Sequence, residues 1–379
     1  MKIEQKKYSP AGGWQVLNKD DFDSTSCNFV LAFGSPCIFE DTNIYDHING
    51  HYPNADIIMN STSGEIFGTE VNDDTLSITA IHFETTKIKT ATVHIDEVTN
   101  SLEAGRFLAS AFAPDGLKNV LIISDGQKVN GSELVLGLQE HLPAGTIITG
   151  GLAGDGSRFK RTLVGLNECP IEGRIVAVGF YGDSLSVTYG SAGGWDSFGP
   201  ERLITRSAAN ILYELDGKPA LDIYKMYLGE YVSELPGSGL LFPLSIRLPD
   251  SEELVVRTIL GVNEEAKSLV FAGNMPEVAY ARLMKAKFDR LIEGASNAAQ
   301  NSVTKNLKKP ELAILISCVG RKLVLNQRIE EEIEEVRAIY GDKTAITGFY
   351  SYGEISPSFK LSKCELHNQT MTITTLSEE

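Results

Sequence analysis

Hydrophobic residues along this chain follow the same order three times: an apolar strand, a helix, and a second apolar strand that ends in a Gly-rich segment. Continuous apolar runs are typical of buried strands, and the first strands of the three copies are NFVLAF (residues 28–33), NVLIIS (119–124) and ELAILIS (311–317). The Gly-rich segments, called the Gly loops below, are STSGEI (61–66), GGLAGDG (150–156) and YSYGEI (350–355). Repeated units bury their apolar faces against one another, so the pattern predicts a mixed α/β fold of three related copies.

Helices and hairpins complete each copy. Apolar stripes predict a helix over residues 101–112, a second with Leu134 and Leu138, and a third that ends at Gly341. Alternating apolar and polar positions predict antiparallel hairpins, the last of them over FKLSKCELHNQTMTITTL (359–376). The first copy has only a weak helical pattern between its two strands.

The length of 379 residues predicts two domains. Glycines at 217 and 229 indicate two short connecting helices after Thr205, and we place the domain boundary there. A long helix is predicted after Pro276, with Met284 on its apolar face. Copies one and two are expected in the first domain and copy three in the second. The predicted segments are an extension (1–24), a first domain (25–218) and a second domain (219–379).

Charge and composition restrict the partners. The net charge of −16 predicts that nucleic acid and anionic membrane surfaces are repelled. The apolar runs are too short for a membrane helix, and no signal peptide is indicated, so a cytoplasmic location is expected. The five cysteines form no Cys-x-x-Cys pair, which argues against a disulfide framework or a structural zinc site.

Several motifs resemble those of the FIST family of prokaryotic signal-input proteins, in the same order and across nearly the whole chain. They are NSTSGEI, DGQKVNGSELVLGLQEHLP, GGLAGDG, GGWDSFGP, ITRSAANILYELDGKPALDIYKMYLG, GFYSYGEISP and LHNQTMTITTL. The resemblance implies a FIST N-type domain, a FIST C-type domain, and a sensor that binds a small ligand such as an amino acid. It also implies a separate signalling partner, because some stand-alone members are regarded as haem-dependent nitric oxide sensors that act on histidine kinases of two-component systems.

The Gly loops are the predicted ligand site, since glycines at the ends of strands let main-chain N–H groups approach a ligand. The alternative is that each loop only forms a tight turn. Glu65 and Glu354 occupy equivalent places in their loops, where they can bind an ammonium group, cap a helix or hold a neighbouring loop. The predicted ligand-binding residues are Ser61, Ser63, Gly64, Glu65, Gly151, Gly154, Asp155, Ser317, Cys318, Arg321, Ser351, Gly353, Glu354 and Asn368.

Two residues carry more specific hypotheses. Arg321 follows a strand directly, and its guanidinium can clamp a ligand carboxylate or a haem propionate. His367 lies within a motif of the resembled family, so it is the expected axial ligand if haem b binds, and a structural hydrogen-bonded histidine is the alternative. Assembly of the chain into a homodimer is also considered. The competing class is an enzyme, a hydrolase or transferase, that uses Cys318, His367 and the pair Glu65 and Glu354.

Overall fold

The computed structural model describes residues 1–17, 22–40, 43–247, 254–303, 309–357 and 363–378. The helices are α1 (Ile44–His51), α2 (Ser101–Ser110), α3 (Gly131–His141), α4 (Ala220–Leu228), α5 (Phe288–Ser302), α6 (Val319–Leu325) and α7 (Ile329–Tyr340). None of these described helices combines the length and the apolar character that crossing a membrane requires.

The strands that the structure describes alternate with the helices in a mixed α/β arrangement. In chain order they are β1 (Lys2–Ser9), β2 (Gly13–Val16), β3 (Phe29–Gly34), β4 (Asp56–Ser61), β5 (Glu65–Phe67), β6 (Glu70–Asn72), β7 (Leu76–His82), β8 (Lys87–His94), β9 (Leu117–Ser124), β10 (Ile147–Leu152), β11 (Val164–Leu166), β12 (Arg174–Tyr181), β13 (Leu185–Ala192), β14 (Asp196–Ser197), β15 (Arg202–Ala208), β16 (Ile211–Leu215), β17 (Lys218–Pro219), β18 (Leu244–Arg247), β19 (Leu254–Arg257), β20 (Ile259–Asn263), β21 (Ser268–Phe271), β22 (Tyr280–Lys285), β23 (Leu312–Cys318), β24 (Ala345–Ser351), β25 (Gly353–Pro357), β26 (Cys364–His367) and β27 (Met371–Glu378).

Each copy builds one sheet, and within the described residues each of the three sheets has six strands. The first sheet has the order β11-β4-β3-β7-β1-β2, the second β26-β25-β10-β9-β12-β8, and the third β13-β27-β23-β24-β5-β6. In each, the two strands that flank the first helical segment of the copy are parallel neighbours, and a later strand pairs antiparallel with the first of them. The shared strand order predicted for the three copies is confirmed.

The copies exchange strands in a ring. The strand after the first Gly loop, β5, pairs with β24 of copy three, and the strand after the third Gly loop, β25, pairs with β10 of copy two. The strand after the second Gly loop, β11, pairs with β4 of copy one and closes the ring. Each sheet is therefore completed by another copy.

The three sheets face one common core. Phe29 and Phe33 of the first sheet share this core with Leu121 of the second sheet and with Ile316 and Phe349 of the third. The inner apolar faces of all three sheets thus bury one another, and the expected grouping of copies one and two apart from copy three stays a prediction. The predicted boundary between residues 218 and 219 stays a prediction.

Helices cover the outer faces of the sheets. Helices α2 and α3 bury Leu108, Leu134 and Leu138 on the second sheet, and α5 and α7 bury Leu291 and Ile333 on the third. Helix α1 covers the first sheet, which confirms the weak helical pattern there. The amphipathic stripes read from the sequence are the stripes that the sheets bury.

The segment between the second and third copies forms a further sheet of nine strands, with the path β19-β18-β22-β15-β16-β21-β20 and with β14 and β17 at its side. The first predicted connecting helix is wrong, because Ile204 pairs with Leu215 across β15 and β16 and both side chains are buried. The second is confirmed as α4. Met284 lies in β22, so the long helix α5 begins only at Phe288.

The segment after β23 is the short helix α6, whose Val324 and Leu325 are buried in the core of the third sheet. The predicted hairpin over residues 359–376 falls partly on residues 358–362, which lie outside the described residues. Its described strands, β26 and β27, belong to two different sheets.

Candidate functional site

The three Gly loops meet in a ring of main-chain hydrogen bonds. Gly154 N donates to Ser61 O at 3.0 Å, Ser63 N donates to Tyr350 O at 2.8 Å, and Tyr352 N donates to Leu152 O at 3.1 Å. Donors and acceptors occupy corresponding places in the three copies. The prediction that the loops belong together is thus confirmed by their geometry, and the ring lies where the copies exchange strands.

A polar cavity of about 620 Å³ opens beside this ring, and we call it the Gly-loop cavity. Copy one supplies half of the lining residues, copy two supplies the segment after Asp155, and copy three supplies residues of α6, Asn326 and the first residue of α7. The lining residues are Ser35, Thr62, Ser63, Gly64, Glu65, Val71, Asp73, Asp74, Gly156, Ser157, Arg158, Val319, Lys322, Leu323, Asn326 and Ile329. The volume falls within the range of small-molecule sites in proteins.

Lys322 joins copy three to the first Gly loop. Its Nζ donates to Ser63 O at 2.8 Å and forms an ion pair with Asp73. Gly64 has a φ of +141°, and a Cβ at this position would lie 2.5 Å from the Lys322 Nζ atom. Glycine is needed here both for its backbone conformation and for the close approach of the lysine.

Two buried glutamates hold the first and third Gly loops in the same way. Glu65 accepts hydrogen bonds from Thr62 Oγ1, from Thr75 N at 3.2 Å and from Thr75 Oγ1 at 2.7 Å. Glu354 accepts the corresponding bonds from Ser351 Oγ at 2.7 Å and from Thr370 N and Oγ1 at 3.2 and 2.8 Å. Of the three roles considered for these side chains, holding a neighbouring loop is the one that the contacts support.

Burial controls the ionisation of these glutamates. Desolvation raises the pKa of Glu65 to about 7 and that of Glu354 to about 8, although the hydrogen bonds from their Thr and Ser partners lower both pKa values. Copy two has no equivalent carboxylate, since Val164 lies at the corresponding place in β11. The buried glutamates thus distinguish the first and third Gly loops from the second.

Asp155 organises the second Gly loop instead. Its carboxylate accepts hydrogen bonds from the main-chain N–H groups of Phe159, Lys160 and Arg161 at 2.8 to 2.9 Å, and from the Tyr352 hydroxyl. Asp155 is buried, so it acts on the cavity by positioning the segment that follows it. That segment places Arg158 on the cavity wall.

Three further predicted residues lie in the packed centre of the ring. Ser61 is buried and its Oγ accepts a hydrogen bond from Leu163 N at 2.8 Å. A Cβ at Gly154 would lie 2.2 Å from Ser63 Oγ, and one at Gly151 would lie 2.7 Å from an Ile316 methyl group. These residues allow the loops to approach one another, and they do not line the cavity.

Arg321 is buried and fully engaged inside the third copy. It has no exposed surface, and its Nη2 donates to Glu332 Oε2 and to Leu291 O, each at 2.7 Å. Ser317, another predicted site residue, donates to the same glutamate at 3.1 Å, as does Tyr350 at 2.7 Å. The geometry does not support the predicted ligand clamp, because the Arg321 side chain does not line the Gly-loop cavity and serves an internal ion pair.

The residues of the enzyme hypothesis are not arranged for catalysis. Cys318 is buried, and desolvation raises the pKa of its thiol well above the usual range, which opposes thiolate formation. Burial lowers the pKa of His367 to about 4, and the ring Nε2 donates to Ser356 O at 3.0 Å. Glu65 and Glu354 each serve their own loop. In this geometry neither the Cys318 thiol nor the His367 imidazole is activated for catalysis.

The geometry around His367 does not support its expected role as a haem ligand. His367 ends β26, where it pairs with Glu354 of β25 and its Nε2 is engaged by Ser356 O, and no histidine lines the Gly-loop cavity. Within the described residues, no group of three or more His, Cys, Asp or Glu side chains can hold a metal ion. Asn368 is fully buried and its side-chain amide has no hydrogen-bond partner among the described groups. Gly353 packs near this amide, where a Cβ would meet Asn368 Nδ2 at 3.6 Å.

Sequence reasoning missed the charged lining of the cavity. Lys322 is adjacent to Arg321, but choosing between them required knowing that α6 directs one side chain inward and the next toward copy one. Asp73 lies before Thr75 in a short turn that carried no motif. Arg158 forms no ion pair within the described part of the chain, and its position depends on the Asp155 contacts.

Three strand-exchanging copies around a polar cavity define an α/β protein with a candidate small-molecule site. Family models agree with this class: the FIST N domain model matches residues 28–218, and the FIST C domain model matches residues 220–357. The chain belongs to the FIST family, whose domains are small-ligand sensory domains of signalling proteins.

Other comparisons add little to this assignment. No curated protein sequence matches the chain. Among solved structures, it is similar to the crystal structure of cyanuric acid hydrolase from A. caulinodans, at 7% sequence identity and a TM-score of 0.37, over 100% of this chain and 99% of that one. This similarity is too low to carry a functional argument.

Proposed function

We propose that this protein is a sensor that binds a small zwitterionic metabolite, such as an amino acid, in the Gly-loop cavity. One observation carries the proposal: the cavity wall combines acidic Asp73 and Asp74 with basic Arg158 and Lys322 beside the main chain of the Gly loops. A ligand with an ammonium and a carboxylate group matches both signs of charge. It is also neutral overall, so the net charge of −16 does not repel it.

Arg158 is the proposed carboxylate anchor. Its guanidinium lines the cavity and has no acidic partner within the described residues, whereas Lys322 is already held by Ser63 O and Asp73. A planar guanidinium binds a carboxylate through two parallel hydrogen bonds. The acidic side chains Asp73 and Asp74 are the proposed partners of the ligand ammonium group.

Isothermal titration calorimetry with a panel of free amino acids tests this function. We expect saturable binding of at least one of them, and a loss of about tenfold or more in affinity in Arg158→Gln, since a charge-assisted hydrogen bond contributes about 1.5–3 kcal/mol. Arg206→Gln, which changes an exposed arginine on the nine-stranded sheet, is the matched control. The absence of binding by the whole panel would contradict the proposal.

Two further arms concern the alternatives and the partner. An absorption spectrum after expression with added haem tests haem, and a Soret band that disappears in His367→Ala would replace the amino acid by haem as the ligand. We propose that the output passes to a separate signalling enzyme such as a histidine kinase. Ligand-dependent change in the autophosphorylation of such a kinase, measured with and without this protein, is the expected result.

A further inference from the structure

A second cavity lies between the third Gly loop and the nine-stranded sheet. It has a volume of about 300 Å³, and we call it the aromatic cavity. Copy two contributes the segment from Gly126 to Asn130, copy three contributes Tyr352, and the nine-stranded sheet contributes Phe271. The two cavities occupy corresponding places in the repeat. The Gly-loop cavity lies between Ser63 of the first loop and the segment after β23, and the aromatic cavity lies between Tyr352 of the third loop and the segment after β9.

The chemistry of this wall differs from that of the Gly-loop cavity. Phe159 and Leu260 expose apolar surface on this wall, and the ring of Phe159 stacks on the buried ring of Tyr352 with the centroids 4.6 Å apart. Lys128 is the charged residue of the wall, and none of the described residues that line it is acidic. In a chain of net charge −16, a cavity wall with a cation and without a carboxylate favours an anion.

The aromatic surface is held in place by specific contacts. Phe159 has a φ of +52°, which is unfavourable for a residue with a bulky side chain. Its N–H donates to Asp155 Oδ1 at 2.8 Å, and Asp155 also binds the hydroxyl of Tyr352. Strained conformations persist where the surroundings determine them, so the ring of Phe159 is fixed against Tyr352 at the cavity wall.

Lys128 can exchange its present partner for a ligand. Its Nζ lies 3.2 Å from Glu172 Oε2, and the side chain is about half exposed. Arg161 also pairs with Glu172, at 3.1 Å, so this carboxylate keeps a cation when the lysine turns away. We propose that the aromatic cavity is a second ligand site, which binds a small aromatic carboxylate with its ring against Phe159 and Leu260 and its carboxylate on Lys128.

Fluorine NMR with 4-fluorobenzoate as the probe tests this site. We expect saturable broadening of the probe resonance, and about tenfold weaker binding in Lys128→Gln, because the charge-assisted contact is lost. Leu260→Trp, which changes an exposed residue of the wall, should fill the cavity and abolish binding. Lys118→Gln, a half-exposed lysine paired with Asp183, is the matched control and should bind as the unchanged protein does.

Chemical variants of the probe separate the two parts of the proposal. The neutral 4-fluorobenzyl alcohol should bind more weakly than 4-fluorobenzoate, and its binding should not respond to Lys128→Gln. The site is refuted if the protein does not bind 4-fluorobenzoate saturably, or if Lys128→Gln and Leu260→Trp both bind it normally. Binding that responds to Arg158→Gln and not to Lys128→Gln would assign the probe to the Gly-loop cavity and also refute it. The outcome is independent of whether an amino acid binds at the Gly-loop cavity.

Discussion

Removal of the Arg321 guanidinium should destabilise the fold rather than remove a ligand contact. Breaking a buried ion pair by deleting one partner costs about 3–5 kcal/mol, because the other charge stays buried without compensation. In Arg321→Met, Glu332 keeps the hydroxyl donors of Ser317 and Tyr350, whereas the carbonyl of Leu291 loses its bond to the guanidinium. The retained hydroxyl donors limit the loss of stability and the unpaired carbonyl adds to it, so we expect the free energy of unfolding to fall by about 3–5 kcal/mol.

A double-mutant cycle measures the pair directly. Urea unfolding of Arg321→Met, Glu332→Gln and the combined variant should show a coupling of about 2–3 kcal/mol, since the neutral glutamine can still accept from Tyr350. The same cycle on the surface pair of Arg290 and Glu293, whose side chains are both more than half exposed, should give at most about 1 kcal/mol. Normal stability of Arg321→Met together with lost ligand binding would refute the reasoning and restore the clamp.

Two other perturbations test the Gly loops. The folded-state pKa values of Glu65 and Glu354 are raised to about 7 and about 8, so these residues favour folding at acid pH. As the pH rises from about 4.5 through 8, each should lower the free energy of unfolding by about 3 kcal/mol or more. Chemical unfolding across this range should show the decline, and the double variant Glu65→Gln with Glu354→Gln should flatten it. Gly64→Ala should displace Lys322 and destabilise the fold by about 1–3 kcal/mol, which thermal unfolding measures. The control Gly116→Ala is also at positive φ but has open space around it, so it should cost about 1 kcal/mol. Equal losses would contradict the lysine contact.

Local patterns predicted the elements well where one period dominated. The continuous apolar strands and the stripes of α2, α3 and α7 read correctly because each pattern reports burial on a nearby sheet. The segment that begins at Thr205 was wrongly predicted as a helix. Its alternation of apolar and polar residues indicates a strand clearly only when its pairing with β16 is known.

The candidate site was predictable only in part, for a similar reason. The repeat identified the Gly loops, and Ser63, Gly64 and Glu65 do line the cavity. The sequence could not distinguish Arg321 from Lys322, since one helical step separates a buried ion pair from a cavity wall. The roles of side chains that act across copies depend on which copies touch.

The exchange of β5, β11 and β25 among the sheets also has a consequence for how the chain reaches its fold. Strand β5 is synthesised long before its partner β24, since Phe67 pairs with Thr347. Proteins dominated by such distant pairings fold slowly, because loop closure must precede the contacts that reward it. Until the last copy has left the ribosome, the first keeps a strand without a sheet, and we expect the nascent protein to depend on chaperones for most of its synthesis.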